Sequence, residues 1–177
     1  MLTQAGKMAN GGRLLSLGLL LAGLLPTNVL AGSEACTVIR DAASHTMEAA
    51  RVRMRHVLHL SSCVQVQREW RLIGDRRYSK QGHDSWVKDE RPNDWMQMRG
   101  MKISNCKRAD HEVIDGAPAT VWAYSRDLEG ERGTVKMWVD ETSSRILRTY
   151  VEFEPSKSRY RQSDSRFDYS NDIERPE

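Results

Sequence analysis

The sequence predicts an α+β domain in which a curved antiparallel sheet wraps around one N-terminal helix. The first observation is that apolar residues recur at spacings of three and four in one segment, between Ser33 and Ala50. The second is that the apolar period changes to two after this segment. Short turns join the alternating segments, which is typical of neighbouring antiparallel strands with one apolar face.

The first 31 residues are predicted to be a secretory signal peptide that is cleaved after Ala31. Lys7 and Arg13 supply its positive end, and residues 14–25 form an almost wholly apolar run before small residues at the cleavage site. This run is shorter than the roughly 20 residues that a membrane-spanning helix needs. We therefore expect an exported protein of the periplasm with no transmembrane span after cleavage.

Removal of the signal peptide leaves residues 32–177, which are expected to form a single domain with a polar tail from about residue 170. The whole chain carries a net charge of +3, of which the leader contributes two cations and no acid. The net charge of the exported domain is therefore only +1. A charge this small does not support nucleic acid as a partner.

The helix is expected to begin near Ser33, a favourable N-cap residue, and to reach about Ala50. Small side chains dominate its apolar stripe, which consists of Ala35, Val38, Ile39, Ala42, Ala43, Met47 and Ala50. Because these side chains are small, the helix can lie close to the sheet against which it packs.

The alternating segments that follow predict a series of strands joined by hairpins. Asp115-Gly116 is the strongest hairpin signal, because this dipeptide favours a two-residue turn with positive φ. Residues 82–85 mark another turn, and residues 155–162 are expected to form a polar loop. The predicted strands are 64–72, 76–81, 86–88, 106–114, 117–126, 134–140, 147–153 and 166–169.

Five short motifs follow one another along the chain. They are Ala35-Cys36, Asn105-Cys106-Lys107-Arg108, the stretch 113–124, the stretch 135–140 and the stretch 166–171. In this order, with one helix before the strands, the chain resembles the LolA-like group of exported bacterial proteins, and in particular small members of that group. The resemblance implies a half-open antiparallel barrel around the helix.

The chain contains three cysteines, Cys36, Cys63 and Cys106. In an oxidising compartment two of them can pair, and the sequence alone allows three choices. The alternating context of Cys63 by itself predicts a buried thiol. The LolA-like resemblance implies a bridge between Cys36 and Cys106 and leaves Cys63 free.

No enzyme motif is present in the sequence. It lacks the nucleophile elbow, the phosphate-binding loop and the helical zinc motif, so we expect neither catalysis nor a cofactor. The cysteine spacing fits no zinc site. His56 and His59 are three residues apart on a further predicted strand, between the helix and residue 64, and point to opposite faces, so they are not expected to share a metal ion.

A segment rich in Met and Trp, residues 91–105, interrupts the strand pattern. We predict that Trp95, Met96, Met98 and Met101 cover an apolar concavity, because Met adapts to varied apolar partners. The floor of this concavity would comprise Trp70, Leu72, Met137, Val139, Val151 and Phe153. The expected ligand is an acyl chain, a lipid or a lipidated peptide. The alternative is a loop that closes a small core.

Arg51, Arg53 and Arg55 alternate after the helix and are expected to share one strand face. They either bind an acidic partner or a lipid headgroup, or form a solvated face whose charges discourage edge pairing. The alternative function is a protein-interaction module of the cell envelope with a filled barrel and no small-molecule ligand. Such a module would dock its partner through the arginines or a sheet edge.

Overall fold

The computed structural model describes residues 32–92, 100–155 and 158–177. The predicted signal peptide lies outside these residues. In chain order the described elements are α1 (Gly32–Glu48), β1 (Arg51–Leu60), β2 (Gln65–Ile73), β3 (Arg76–Gln81), β4 (Val87–Glu90), β5 (Lys102–Ile114), β6 (Ala117–Leu128), β7 (Glu131–Asp140), β8 (Ile146–Phe153) and β9 (Tyr160–Asp168).

The nine strands form one antiparallel sheet in the order β4-β3-β2-β1-β9-β8-β7-β6-β5. It is not closed, because β4 and β5 are its two edges and do not pair. One core cluster contains Leu72 of β2, Trp122 of β6 and Ile39 of the helix. Residues from both halves of the sheet thus pack around the helix, which requires a curved sheet. The structure confirms the half-open barrel that the LolA-like resemblance implied.

The helix packs on the concave face, mainly against β5 and also against β8. Its buried stripe is made of small and branched side chains: Ala35, Ile39, Ala42, Ala43 and Thr46. The Cys36–Cys106 disulfide, with a Cα–Cα distance of 5.2 Å, ties its first turns to β5. The bridge that the resemblance implied is therefore present.

The predicted hairpins are also present. Asp115 and Gly116 form the two-residue turn between β5 and β6 with φ angles of 50° and 87°. These positive values are the backbone conformation that a type I′ turn requires, which explains the Asp-Gly pair. The strands β3 and β4 pair in antiparallel fashion around residues 82–85, as expected.

Three expectations are wrong. The Met- and Trp-rich interruption was expected to reach residue 105, but β5 already begins at Lys102, where the chain pairs with the end of β6. The last strand begins at Tyr160, not at residue 166, because its first half pairs with β1 up to Leu60. Its polar sequence had suggested a loop at this place. Cys63 is exposed, not buried, since it lies in the turn after β1 with a φ of 63°.

Among the described residues, no helix has both the length and the apolar character needed to cross a membrane.

Candidate functional site

The predicted floor of the concavity lies on the concave face. Five of its six residues, Leu72, Met137, Val139, Val151 and Phe153, are buried in the core cluster that includes the helix. The sixth, Trp70, is partly exposed, and its ring centroid lies 5.7 Å from that of His56. The structure therefore places the floor residues on one face of the sheet, five of them beneath the helix.

The predicted cover of this floor is described only at its end. Met101 is partly buried and directly precedes β5. Trp95, Met96 and Met98 lie outside the described residues. β4, which precedes these residues in the sequence, and β5, which follows them, are opposite edges of the sheet.

Four further apolar side chains on the concave face were not predicted as site residues from the sequence. They are partly buried, pack against the core cluster and come from β1, β2, β5 and β9: Met54, Val66, Ile103 and Tyr160. Tyr160 lies 5.7 Å from Phe153, measured between ring centroids. The alternation of Val52 and Met54 with arginines in β1 was the signal that could have found the first of them.

A polar pair lies among these apolar residues. The Nδ1 of His56 in β1 and the Oγ of Ser165 in β9 are 2.8 Å apart, and Ser165 is buried. Burial, together with the charge of Arg68, lowers the pKa of His56 to about 4. The imidazole is therefore neutral at pH 7, and the pair is a hydrogen-bonding group and not a charge.

Arg126 of β6 is a second polar group on the concave face. It follows Trp122 and Tyr124, both members of the core cluster, at the strand period of two. Its guanidinium carbon lies 5.4 Å from the ring centroid of Phe153. Burial lowers the pKa of Arg126 from its ordinary value, although nearby acids oppose this shift.

The three arginines that the sequence singled out lie on the opposite, convex face, since they alternate with the core residues Val52 and Met54. Arg53 forms an ion pair with Asp168. Arg51 donates a hydrogen bond of 2.6 Å to the carbonyl oxygen of Ile173. Two of the three are thus engaged within the chain.

Arg55 differs from these two arginines. In the described part of the chain it has no ion pair and no hydrogen bond of its side chain, and it lies directly opposite Arg166 of β9. Both side chains border a groove of about 520 Å³, together with Arg53 and the apolar residues Leu147 and Ile114. Asp115 and Asp168 also line the groove, and Asp168 is the ion-pair partner of Arg53, so among the described residues of the groove the unpaired positive charge is that of Arg55 and Arg166.

No family model matches the chain, and no curated protein matches it. Among solved structures it is similar to MucB in complex with MucA(peri), with 12% identity and a TM-score of 0.48 over 75% of this chain and 53% of that one. It is also similar to MucB alone, with 9% identity and a TM-score of 0.40 over 79% of this chain and 60% of that one. The chain thus spans only half to three fifths of the MucB chains. The LolA superfamily protein NE2245 from Nitrosomonas europaea matches with 8% identity and a TM-score of 0.31, over 78% of this chain and 92% of that one.

Proposed function

We propose that this protein is a non-catalytic periplasmic binding protein whose concave face holds a hydrophobic ligand, namely an acyl chain, a lipid or a lipidated peptide. One observation carries the proposal. Apolar side chains on four different strands, Met54, Val66, Ile103 and Tyr160, remain partly exposed beside a fully packed core. An apolar surface that continues past the core on a concave face is the form of a ligand site.

Ligand binding on this surface is driven by burial of apolar area, at about 25 cal/mol per Å². Trp70, which is partly exposed, is a proposed wall of the site. The other predicted residues, Val151, Phe153, Leu72, Met137 and Val139, lie in the core cluster and are proposed to support this surface from beneath. Trp95, Met96, Met98 and Met101 are proposed to cover the ligand. The thioethers of the three Met residues would adapt to acyl chains of different shape, because Met side chains have three rotatable bonds.

The location in the periplasm rests on two arguments. The sequence predicts a cleaved leader, and the disulfide between Cys36 and Cys106 requires an oxidising compartment to persist. Both conditions are met by export across the inner membrane.

A binding experiment with a matched pair of valines tests the proposal. Val66 packs at the edge of the concave surface, whereas Val64, two residues earlier, is 55% exposed outside β2. We expect Val66→Asp to weaken the binding of a fluorescent fatty acid at least about tenfold, because it places a charge against the acyl chain. Val64→Asp should bind like the unchanged protein.

The unaltered protein, purified from the periplasm, should carry a bound lipid that native mass spectrometry detects. An apo mass together with no uptake of the fluorescent fatty acid would contradict the proposal. Equal affinities of the two aspartate variants would also contradict it, provided that circular dichroism shows both to be folded.

One observation favours a second function, the docking of an acidic protein segment on the convex face. Arg55 and Arg166 are direct cross-strand neighbours, and like charges in this position destabilise a sheet. Arg148, opposite Arg166 on its other side, has its own partner in Asp164, to which it donates two hydrogen bonds of 2.9 and 2.7 Å. A carboxylate from a partner would offset the remaining repulsion.

This second function predicts binding of a fluorescent oligoglutamate peptide, measured by anisotropy at low and high salt. The double variant Arg55→Gln/Arg166→Gln should lose this binding, whereas Arg175→Gln, an exposed arginine of the C-terminal tail, should keep it. Binding that is unchanged in the double variant would exclude the arginine pair as the docking site.

A further inference from the structure

Four residues form a row across the concave face, near the ends of their strands. Ile103 of β5 lies opposite Arg126 of β6. Arg126 in turn lies opposite Gly133 of β7, and Gly133 lies opposite Phe153 of β8. Because Gly133 has no side chain, the guanidinium of Arg126 can extend across it toward the ring of Phe153, 5.4 Å away. A cation is thereby held between apolar side chains at the rim of the proposed ligand surface.

One nitrogen of this guanidinium is buried without a hydrogen-bonding partner in the described part of the chain. This nitrogen is the Nε, and within residues 32–92, 100–155 and 158–177 the terminal nitrogens make no hydrogen bond or ion pair either. A buried donor without a partner keeps its full desolvation penalty. The penalty is larger for a charged group.

The acidic residues nearest to Arg126 in the sequence, Asp127 and Glu131, do not accept a hydrogen bond from its guanidinium. The carboxylate of Asp127 accepts hydrogen bonds from the Nε of Arg132 at 3.0 Å and from the backbone amide of Gly130 at 3.1 Å. Glu131 accepts a hydrogen bond from the hydroxyl of Ser158 at 3.4 Å. Both acids act on Arg126 only through their more distant charges.

An arginine keeps its charge in proteins even where burial lowers its pKa, because its ordinary pKa lies far above neutrality. Arg126 therefore presents a permanent positive charge with donors to spare, next to an apolar surface. The complementary molecule has one anionic end and one apolar end.

We propose that Arg126 binds the anionic head group, a carboxylate or a phosphate, of an amphiphile whose tail lies on the concave face. The planar fork of the guanidinium matches two oxygens of such a group. Arg126 is close to the end of β6, so the head group would lie at the rim and the tail toward the middle of the sheet. This assignment rests on the proposed function and specifies the ligand class of the same site.

Three ligands with one tail separate the head group from the chain: decanoate, decyl phosphate and decanol, each titrated by calorimetry. We expect the protein to bind the two anions about 10- to 100-fold more tightly than decanol, as charge-assisted hydrogen bonds warrant. Arg126→Gln should abolish this preference by weakening the anions alone, while Arg126→Lys should keep part of it. Lys136→Gln, which removes an exposed cation on the opposite face of β7, should keep all of it.

Unchanged decanol affinity in Arg126→Gln also demonstrates that this variant is folded. Equal binding of the three ligands by the unaltered protein, or an undiminished preference for anions in Arg126→Gln, would overturn the assignment and leave the proposed function intact. Failure to bind any of the three ligands would instead contradict the proposed function, and this assignment with it.

Discussion

The hydroxyl of Thr46, in the last turns of α1, accepts a hydrogen bond of 3.0 Å from the backbone amide of Ile146 at the start of β8. The same hydroxyl donates to the carbonyl of Ala42 at 2.8 Å. The hydroxyl of Tyr169 lies 3.2 Å from it and donates to the carbonyl of Ile146 at 2.6 Å. This network fixes the last turn of the helix to the start of β8.

Thr46→Val is expected to destabilise the protein by about 1–3 kcal/mol, because it leaves the amide of Ile146 buried without a partner while the volume hardly changes. Urea unfolding measures the difference. Ser44→Ala, an exposed change in the same helix, is the control and should alter the free energy of unfolding by less than about 0.5 kcal/mol. Equal effects of the two variants would mean that the network does not contribute to stability.

Arg91, which follows β4, links the end of the helix to the turn between β2 and β3. Its guanidinium donates hydrogen bonds to the carbonyls of Met47, of Ala49 at 3.0 Å and of Gly74 at 3.1 Å. Arg91→Ala should therefore cost about 1–3 kcal/mol in the free energy of unfolding, since carbonyls at the helix end lose their donor. Arg91→Lys should recover little of this loss, because a single ammonium group cannot reach three carbonyls in different directions.

The disulfide joins two cysteines that are 70 positions apart in the sequence, and so restricts the unfolded chain. Replacing Cys36 and Cys106 by Ser should lower the free energy of unfolding by about 2–4 kcal/mol. Cys63→Ser is the matched control, because this thiol is free and exposed, and it should leave stability nearly unchanged. A double variant as stable as the control would show that the helix needs no covalent tie to β5.

Sequence patterns predicted the features of the fold that depend on neighbouring residues. Asp115-Gly116 specified its hairpin because the turn requires positive φ at two adjacent positions. The helix was visible from the spacing of its small apolar residues. The pairing of Cys36 with Cys106 was implied only by the LolA-like resemblance, since three unpaired cysteines carry no information about distance.

The candidate site was predicted only in part. The floor residues, such as Phe153, were found because they alternate on their strands. Arg126 was missed because the tail of β6 reads as a polar strand end, and its environment depends on Gly133 and Phe153 of other strands. His56 was missed for a similar reason, since Ser165 is 109 positions away and becomes its neighbour only through the β1–β9 register.

His56 makes the stability of the protein depend on pH. Burial and the charge of Arg68 lower the pKa of His56 to about 4, against 6.5 for the unperturbed group. The folded state therefore binds fewer protons than the unfolded state between these two values, so stability falls as the pH drops from about 6.5 to about 4. The loss attributable to this residue reaches about 3 kcal/mol and levels off below pH 4.

Urea unfolding at several pH values, with His56→Gln as the variant, tests this dependence on pH. The charges to consider around the imidazole are Arg68, which lowers its pKa, and Asp164, which partly opposes this effect. In the variant the free energy of unfolding should vary less between pH 6.5 and pH 4, because the group that gains a proton on unfolding is gone. His59→Gln is the control. His59 is partly exposed, with its Nδ1 3.4 Å from the Nε2 of Gln65, and its replacement should leave the full dependence of the free energy of unfolding on pH. A slope that persists in His56→Gln would assign the dependence on pH to the carboxylates instead.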